Sequence, residues 1–196
     1  MSVKHYSNYL LYALTICSSS VWAQSAQAAD FEKIDLSGFV GVETRFFTQD
    51  PAHVGQETGK LEGSVIFQPE FRYRSNSRDH QFSFIPFARI DSRDSERSHI
   101  DVREAYWLWL GNDVEFLAGI NKVFWGVAES RHLVNIINQT DAVEDIDGED
   151  YLGQPMINIT TQQDWGRLGV YALPYFRERT FSGSDGRFRG PLVVDT

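Results

Sequence analysis

The chain has 196 residues, which is enough for one domain with a sizeable core but not for a large multidomain protein. Its 27 acidic residues outnumber 18 Lys and Arg residues, which gives a formal net charge of −9 at pH 7. Nucleic-acid binding is not expected, because neutralising phosphates requires an excess of cations. Hydrophobic residues make up 42% of the chain, which is too many for a disordered protein.

The beginning of the chain has the pattern of a removable export signal. Lys4 precedes an apolar run over residues 10–17, and residues 26–28 read Ala-Gln-Ala, a small-residue cleavage motif. The run is too short for a membrane-spanning helix. We therefore predict a signal peptide over residues 1–28 and one mature domain over residues 29–196.

The only cysteine, Cys17, lies inside this signal, so no disulfide is predicted. A lipoprotein anchored through Cys17 is the alternative. It is disfavoured because Ile16 is larger than the small residue that lipoprotein processing prefers.

After the signal, apolar residues recur with a period of two, which indicates strands. In the first segment Leu36, Val40 and Val42 lie on one face, and Glu43 and Arg45 lie on the other. Four further segments alternate in the same way, with apolar faces at Val65, Phe67, Phe71 and Tyr73; Phe82, Phe84, Ala88 and Ile90; Ile100, Val102, Tyr106, Leu108 and Leu110; and Val114, Phe116, Ala118 and Ile120. Shorter candidate strands follow at residues 156–161 and 168–173.

The connections between these segments alternate in length. Short polar turns are predicted at residues 75–80, 111–113 and 162–166, and mostly longer loops at 48–61, 93–98, 123–154 and 174–190. Alternating antiparallel strands with short turns at one end and long loops at the other are typical of bacterial outer-membrane barrels. We therefore predict an all-β, antiparallel transmembrane β-barrel in the bacterial outer membrane, in contact with outer-membrane lipid and lipopolysaccharide.

Two points remain open about this barrel. Seven strands are evident and an eighth begins at Leu192, yet residues 193–196 lack the terminal aromatic that usually ends such a barrel. We expect the chain to be the N-terminal part of a larger barrel, incomplete at its C-terminus. The alternative is a soluble β-sandwich or lipocalin-like barrel, whose strands also alternate but with the apolar face inward.

Several motifs resemble those of large porin-like outer-membrane proteins. A glycine-containing strand end at Gly119 is followed by Trp125-Gly126 and then by Ile137-Asn138-Gln139-Thr140-Asp141, an Asn-x-x-Asp segment. Leu152-Gly153-Gln154-Pro155-Met156 and residues 173–179 also look like that group. It includes uncharacterised outer-membrane channel families and, more distantly, alginate-export and phosphate-selective porins. The resemblance implies a passive channel but names no substrate. We expect a small solute or a polysaccharide as its partner.

Two sets of charged residues are the candidate functional residues. By the strand pleat, one set points into the lumen and is predicted to line the pore: Arg45, Arg72, Arg74, Arg89, Arg103 and Glu70. The other is an acidic run in the long loop, predicted to form a constriction: Asp141, Glu144, Asp145, Asp147, Glu149 and Asp150. Ahead of that run, Leu133, Val134, Ile136 and Ile137 have helical spacing and predict a short helix packed on the barrel wall.

Acidic loop residues facing an arginine ladder resemble the constriction of general porins, where charged rings select solutes by size and sign. In the alternative, the acidic run is solvated and the arginines pair locally with Glu43, Glu70, Asp91 and Asp101. Asp145, Asp147 and Asp150 also suggest a loosely bound Ca²⁺ or Mg²⁺, although the spacing departs from the EF-hand pattern.

We predict no catalytic residues and no enzyme. The only Ser/His neighbours are Ser98-His99 and Ser130 with His132, and no hydrolase or phosphate-loop motif occurs. The predicted function is passive passage of small solutes or export of a polymer. The alternative is a non-conducting barrel that acts as a surface-interaction or adhesion protein; the oligomeric state is left open.

Overall fold

The computed structural model describes residues 14–15, 34–124 and 135–194. Apart from Leu14 and Thr15, the predicted signal peptide lies outside these residues. The described residues form eight strands: β1 (Leu14–Thr15), β2 (Ile34–Phe46), β3 (Leu61–Arg74), β4 (His80–Asp91), β5 (His99–Leu110), β6 (Val114–Asn121), β7 (Gln154–Gln163) and β8 (Gly166–Ala172). The described residues contain no helix that is long and apolar enough to cross a membrane.

The strands form a single antiparallel sheet in which each strand pairs with its neighbours in the chain, from β1 to β8. The all-β antiparallel prediction is confirmed. The sheet is open, because β8 pairs only with β7 within the described chain. The prediction that a strand begins at Leu192 is wrong for the described residues, because residues 191–194 form no strand. Residues 173–190 fold back over the loops, where Glu57 N donates to Asp185 O, instead of extending along the edge of β8.

The predicted alternation of the connections is confirmed. The turns after β3, β5 and β7 are short, and the first two are closed by backbone hydrogen bonds from Ser75 N to His80 O and from Gly111 N to Val114 O. The connections after β2, β4 and β6 lie at the opposite end, which we call the loop end. The pleat and the register then place polar residues of several strands together at that end.

The two faces of the sheet have inverted burial: the apolar face is exposed and the charged face is covered, the reverse of a water-soluble sheet. One face, which we call the outer face, is apolar yet exposed: Phe67 of β3 is 52% exposed and Ile90 of β4 is 72% exposed. The other face, which we call the inner face, is covered, and Phe87 and Arg89 of β4 are both buried there. The covering comes from residues 135–153 and from the segment after β8, and Ile137 packs with Leu117 and Met156 in a small apolar cluster.

In the second half of β5, the side chains point to the face opposite to the one predicted. The pairing between β4 and β5 shifts at Ile85/Pro86, where Ile85 pairs with Glu104 but Pro86 pairs with Val102. Arg103 is therefore an extra residue, and the bulge forms beside a proline that has no backbone N–H to donate. Past the bulge, the pleat moves Tyr106, Leu108 and Leu110 to the inner face, where the first two pack on the apolar cluster. Trp107 and Trp109 take the outer face.

Gly119 of β6 is required by its backbone. Its φ is +135°, and a Cβ there would lie 2.2 Å from Ala105 O on the neighbouring strand. We expect Gly119→Ala to lower the free energy of unfolding by about 2 kcal/mol or more, measured by chemical denaturation. Gly63→Ala in β3 is the matched control, because its Cβ would have no neighbour closer than 4.0 Å. Equal losses in the two variants would contradict this account.

Candidate functional site

Charged residues from four strands and three loops converge on the inner face at the loop end. The pleat puts Glu43 and Arg45 on one face of β2, and the register brings Arg89 of β4 opposite His99 of β5. We call the following set the inner charged cluster: Glu43, Arg45, Glu62, Arg89, Asp91, Arg97, His99, Asp101, Arg103, Asp141, Glu144, Asp145 and Arg177.

Arg89 connects the sheet to the long loop. Its Nε donates to Glu144 Oε1 and Oε2 at 3.0 and 2.9 Å, and its Nη2 donates to Glu144 Oε2 at 2.5 Å. Its Nη1 donates to Glu43 Oε2 at 2.9 Å. Both Arg89 and Glu144 are buried, so the pair is stable only because each charge meets hydrogen-bonding partners of opposite sign.

A second pair attaches the same loop through Arg103. Its Nη1 donates to Asp101 Oδ2 at 3.0 Å and to the fully buried Asp141, and its guanidinium lies 4.0 Å from the centre of the Phe87 ring. Asp101 also accepts a hydrogen bond from Arg177, which follows β8. The chain of alternating charges therefore fixes two covering segments to one strand.

The Asn-x-x-Asp segment has a structural explanation. Asn138 is buried; its side-chain amide donates to Asn121 O and Leu152 O, and its side-chain oxygen accepts from Val123 N. It therefore joins the two ends of the loop by hydrogen bonds, while Asp141 binds Arg103. The described residues 135–138 form no helix, which contradicts that part of the loop-helix prediction, and Ile136 points to solvent while Ile137 is buried. Leu133 and Val134 lie outside the described residues.

The predicted pore-lining residues divide into two groups. Arg45, Arg89 and Arg103 belong to the inner charged cluster, and each contacts both a local acid and an acid of the loop. The others lie towards the short-turn end of β3: Arg72 pairs with Glu70 at 3.1 Å, and Arg74 is exposed. Both arrangements that the sequence left open therefore occur, local pairing and contact with the loop.

The predicted constriction residues divide in the same way. Asp141 and Glu144 are buried on arginines, and Asp145 contacts Arg45 at 3.3 Å. Asp147, Glu149 and Asp150 are exposed on the loop, where Asp147 Oδ1 accepts a hydrogen bond from Glu149 N. Sequence alone could not separate these groups, because which acid of the run meets an arginine depends on the path of the loop.

The arginine side chains of the cluster disfavour metal binding there. Among the described residues, His99, Asp141 and Glu144 have ligand atoms within 4.8 Å of one another. The two carboxylates already bind Arg103 and Arg89, whose positive charges oppose a metal cation. Asp145, Asp147 and Asp150 do not form such a group. The loosely bound Ca²⁺ or Mg²⁺ predicted there stays a prediction.

The serine and histidine neighbours do not meet. Ser98 Oγ accepts from Asp91 N and donates to Asp91 O, whereas His99 Nδ1 lies 3.1 Å from Arg97 O. The pair therefore lacks the nucleophile–base contact of covalent catalysis. Ser130 and His132 lie outside the described residues.

Arg97 and Arg177 belong to the cluster but were not predicted as site residues. Arg97 belongs to a short polar loop that reads as a solvated turn, and Arg177 follows the last strand at a position without periodicity. Burial raises the pKa of the neighbouring Asp94 carboxyl, which accepts hydrogen bonds from Glu96 N and Arg97 N. Asp94 thereby fixes the turn that carries Arg97.

Comparison with protein-family models, with curated proteins and with solved structures finds no match for this chain. The resemblance to porin-like families stays a prediction.

The pair of Arg89 and Glu144 provides a test of the cluster. We expect Glu144→Gln to lower the free energy of unfolding by about 3 kcal/mol, because it leaves a buried guanidinium without its main partner. Asp147→Asn, in the same loop but exposed, is the control and is expected to change it by less than about 0.5 kcal/mol. Denaturant unfolding measures both. Equal stability of the two variants would show that the loop does not depend on this pair.

Proposed function

We propose that this chain forms the wall of a bacterial outer-membrane β-barrel channel for passive passage of small solutes or export of a polymer. Residues 1–28 direct export in this proposal, and the outer face contacts outer-membrane lipid and lipopolysaccharide. The observation that carries the proposal is the inverted burial of the two faces. A soluble sheet of this size would cover its apolar face and expose its charged one, whereas lipid favours the reverse.

To form such a channel, the open sheet also has to close into a barrel. Within the described residues β8 pairs with no strand other than β7. An unpaired strand edge is costly in hydrocarbon, so a membrane-spanning sheet must continue until its edges meet. The proposed barrel therefore contains the strands β2 to β8 together with whatever strands complete it.

Aromatic residues of the outer face support this orientation. Tyr73, Phe82, Trp107 and Phe116 form a row across four strands, with successive ring centres 5.9, 6.4 and 5.6 Å apart. The row lies near the short-turn end, where Trp107 Nε1 donates to His80 Nδ1 at 3.1 Å. Aromatic rings with a polar partner are typical of the girdle at a membrane–water interface.

The inner charged cluster would form the narrow part of the channel. Arg45, Arg89 and Arg103 lie at the loop end, where the loop brings Asp141 and Glu144 against them. A solute passing the cluster would meet fixed positive and negative charges in a confined space, which selects by size and sign. Arg72 and Arg74 would line the wider part nearer the short turns.

A non-conducting barrel acting as a surface-interaction protein is the second candidate, and the same ion pairs favour it. Arg103 is only 5% exposed, and segments from two loops bind the inner face through buried charges. Inward-facing ion pairs of this kind also plug small barrels. In that case the exposed loops, and not a lumen, would carry the function.

Planar-bilayer conductance of the complete protein, refolded in detergent, separates the two candidates. Steady channel openings are expected for the channel, and a salt gradient then gives the sign of the permeant ion. A folded protein that inserts but stays silent would support the surface-interaction candidate. A protein that folds in buffer without detergent would contradict both and support a soluble β-domain.

The outer face provides a second, independent test. Phe67→Arg places a charge on that face in the middle of β3, and we expect it to lower the free energy of unfolding from lipid vesicles by about 2–4 kcal/mol. Gln68→Arg is the control, because it adds the same charge at the same depth on the inner face. If the two variants lose equal stability, the outer face does not contact lipid.

A further inference from the structure

Arginine donors without partners are concentrated in one part of the inner charged cluster. Among the described residues, five buried side-chain atoms lack a hydrogen-bond partner. Three of the five are guanidinium nitrogens, Arg45 Nη1 and Arg97 Nε and Nη1; the others are His99 Nε2 and Asp185 Oδ1. Buried polar atoms are nearly always hydrogen-bonded, so this concentration indicates a missing acceptor.

The two arginines are neighbours because they share one carboxylate. Arg45 Nε and Arg97 Nη2 both bind Glu43 Oε1, and Arg89 Nη1 binds Glu43 Oε2 at 2.9 Å. Three guanidinium groups therefore surround a single carboxylate. That carboxylate cannot accept from all of their donors.

Of these three arginines, Arg97 makes the longest contacts with carboxylates. Arg89 has Glu144 as a second partner, and Arg45 has Asp145 at 3.3 Å. Arg97 is 2% exposed, its contacts with Glu43 are 3.3–3.4 Å long, and its Nε lies 3.8 Å from Asp91. Burial, together with the charges of Arg45 and Arg89, lowers the pKa of Arg97.

We propose that the free nitrogens of Arg45 and Arg97 bind a small oxyanion, a carboxylate or an inorganic oxyanion. Its oxygens would accept from these donors in the forked geometry that guanidinium groups favour. Binding itself does not depend on a channel. Its use in selecting solutes, which would make the solute class anionic, rests on the proposed function.

The test measures binding to the complete protein in detergent. Acetate and inorganic phosphate are titrated separately at constant ionic strength maintained with sodium chloride, by calorimetry and by the midpoint of thermal unfolding. A saturable rise of the midpoint is expected with at least one probe, and the comparison shows which oxyanion is preferred. Absence of saturable binding with both would mean that water satisfies these donors, and would overturn the proposal.

Variants locate the site. Arg97→Gln is expected to weaken binding about tenfold or more, because it removes charge-assisted hydrogen bonds. Arg167→Gln, at the short-turn end, where Arg167 pairs with Glu115 at 3.0 Å, is the control and is expected to bind like the wild type. Equal binding by wild type and Arg97→Gln would overturn the proposed site.

Glu43→Gln gives a prediction of opposite sign, and it remains informative if Arg97→Gln fails to fold. Glu43 competes with the oxyanion for the same guanidinium groups, so its neutralisation is expected to lower the unfolding midpoint in chloride and to tighten oxyanion binding about tenfold. Lower stability without tighter binding would show that the arginines are only structural. None of these measurements requires conductance, so a binding protein that forms no channel would contradict the proposed function alone.

Discussion

The pairing of buried charges is the constraint on which this molecule depends. A guanidinium or carboxylate removed from water is tolerated only with a partner of opposite charge, and Arg89 and Arg103 meet that condition through Glu144 and Asp141. Those partners come from a loop and not from the sheet. The covering of the inner face is therefore a consequence of the charges on the strands, because the loop lies where the arginines can be neutralised.

The same pairing explains how the sheet can leave its apolar face exposed. In a water-soluble β-protein the apolar faces meet and supply most of the stability. Here the contacts within the protein lie on the charged face, with a small apolar cluster around Leu117 and Met156, and the opposite face has no partner within the described chain. An exposed apolar face and a covered charged face suit a sheet surrounded by lipid. This distribution of residues is the physical basis of the proposed channel. The donors of Arg45 and Arg97 that lack partners add a proposed oxyanion site on the inner face.

Backbone details then set which residue faces which side. Pro86 and the extra residue Arg103 shift the pleat of β5, so that Trp107 joins the outer face and Tyr106 the inner one. At Gly119, the close approach of Ala105 O to β6 leaves no room for a side chain. The bulge therefore determines which residues of β5 face each side beyond Arg103.

The sequence by itself determined the strands, their antiparallel order and the ends at which short turns and long loops lie. A period of two and turn-forming residues are local properties, and they are readable without the fold. It also identified the arginines and the acidic run as the charged residues of interest. Only the tertiary structure decided that Asp141 and Glu144 are buried while Asp147 and Glu149 are exposed, and that Arg97 and Arg177 join the cluster. The bulge in β5 and the open edge of β8 were also beyond the sequence. These outcomes depend on contacts between residues distant in the chain, which no local pattern encodes.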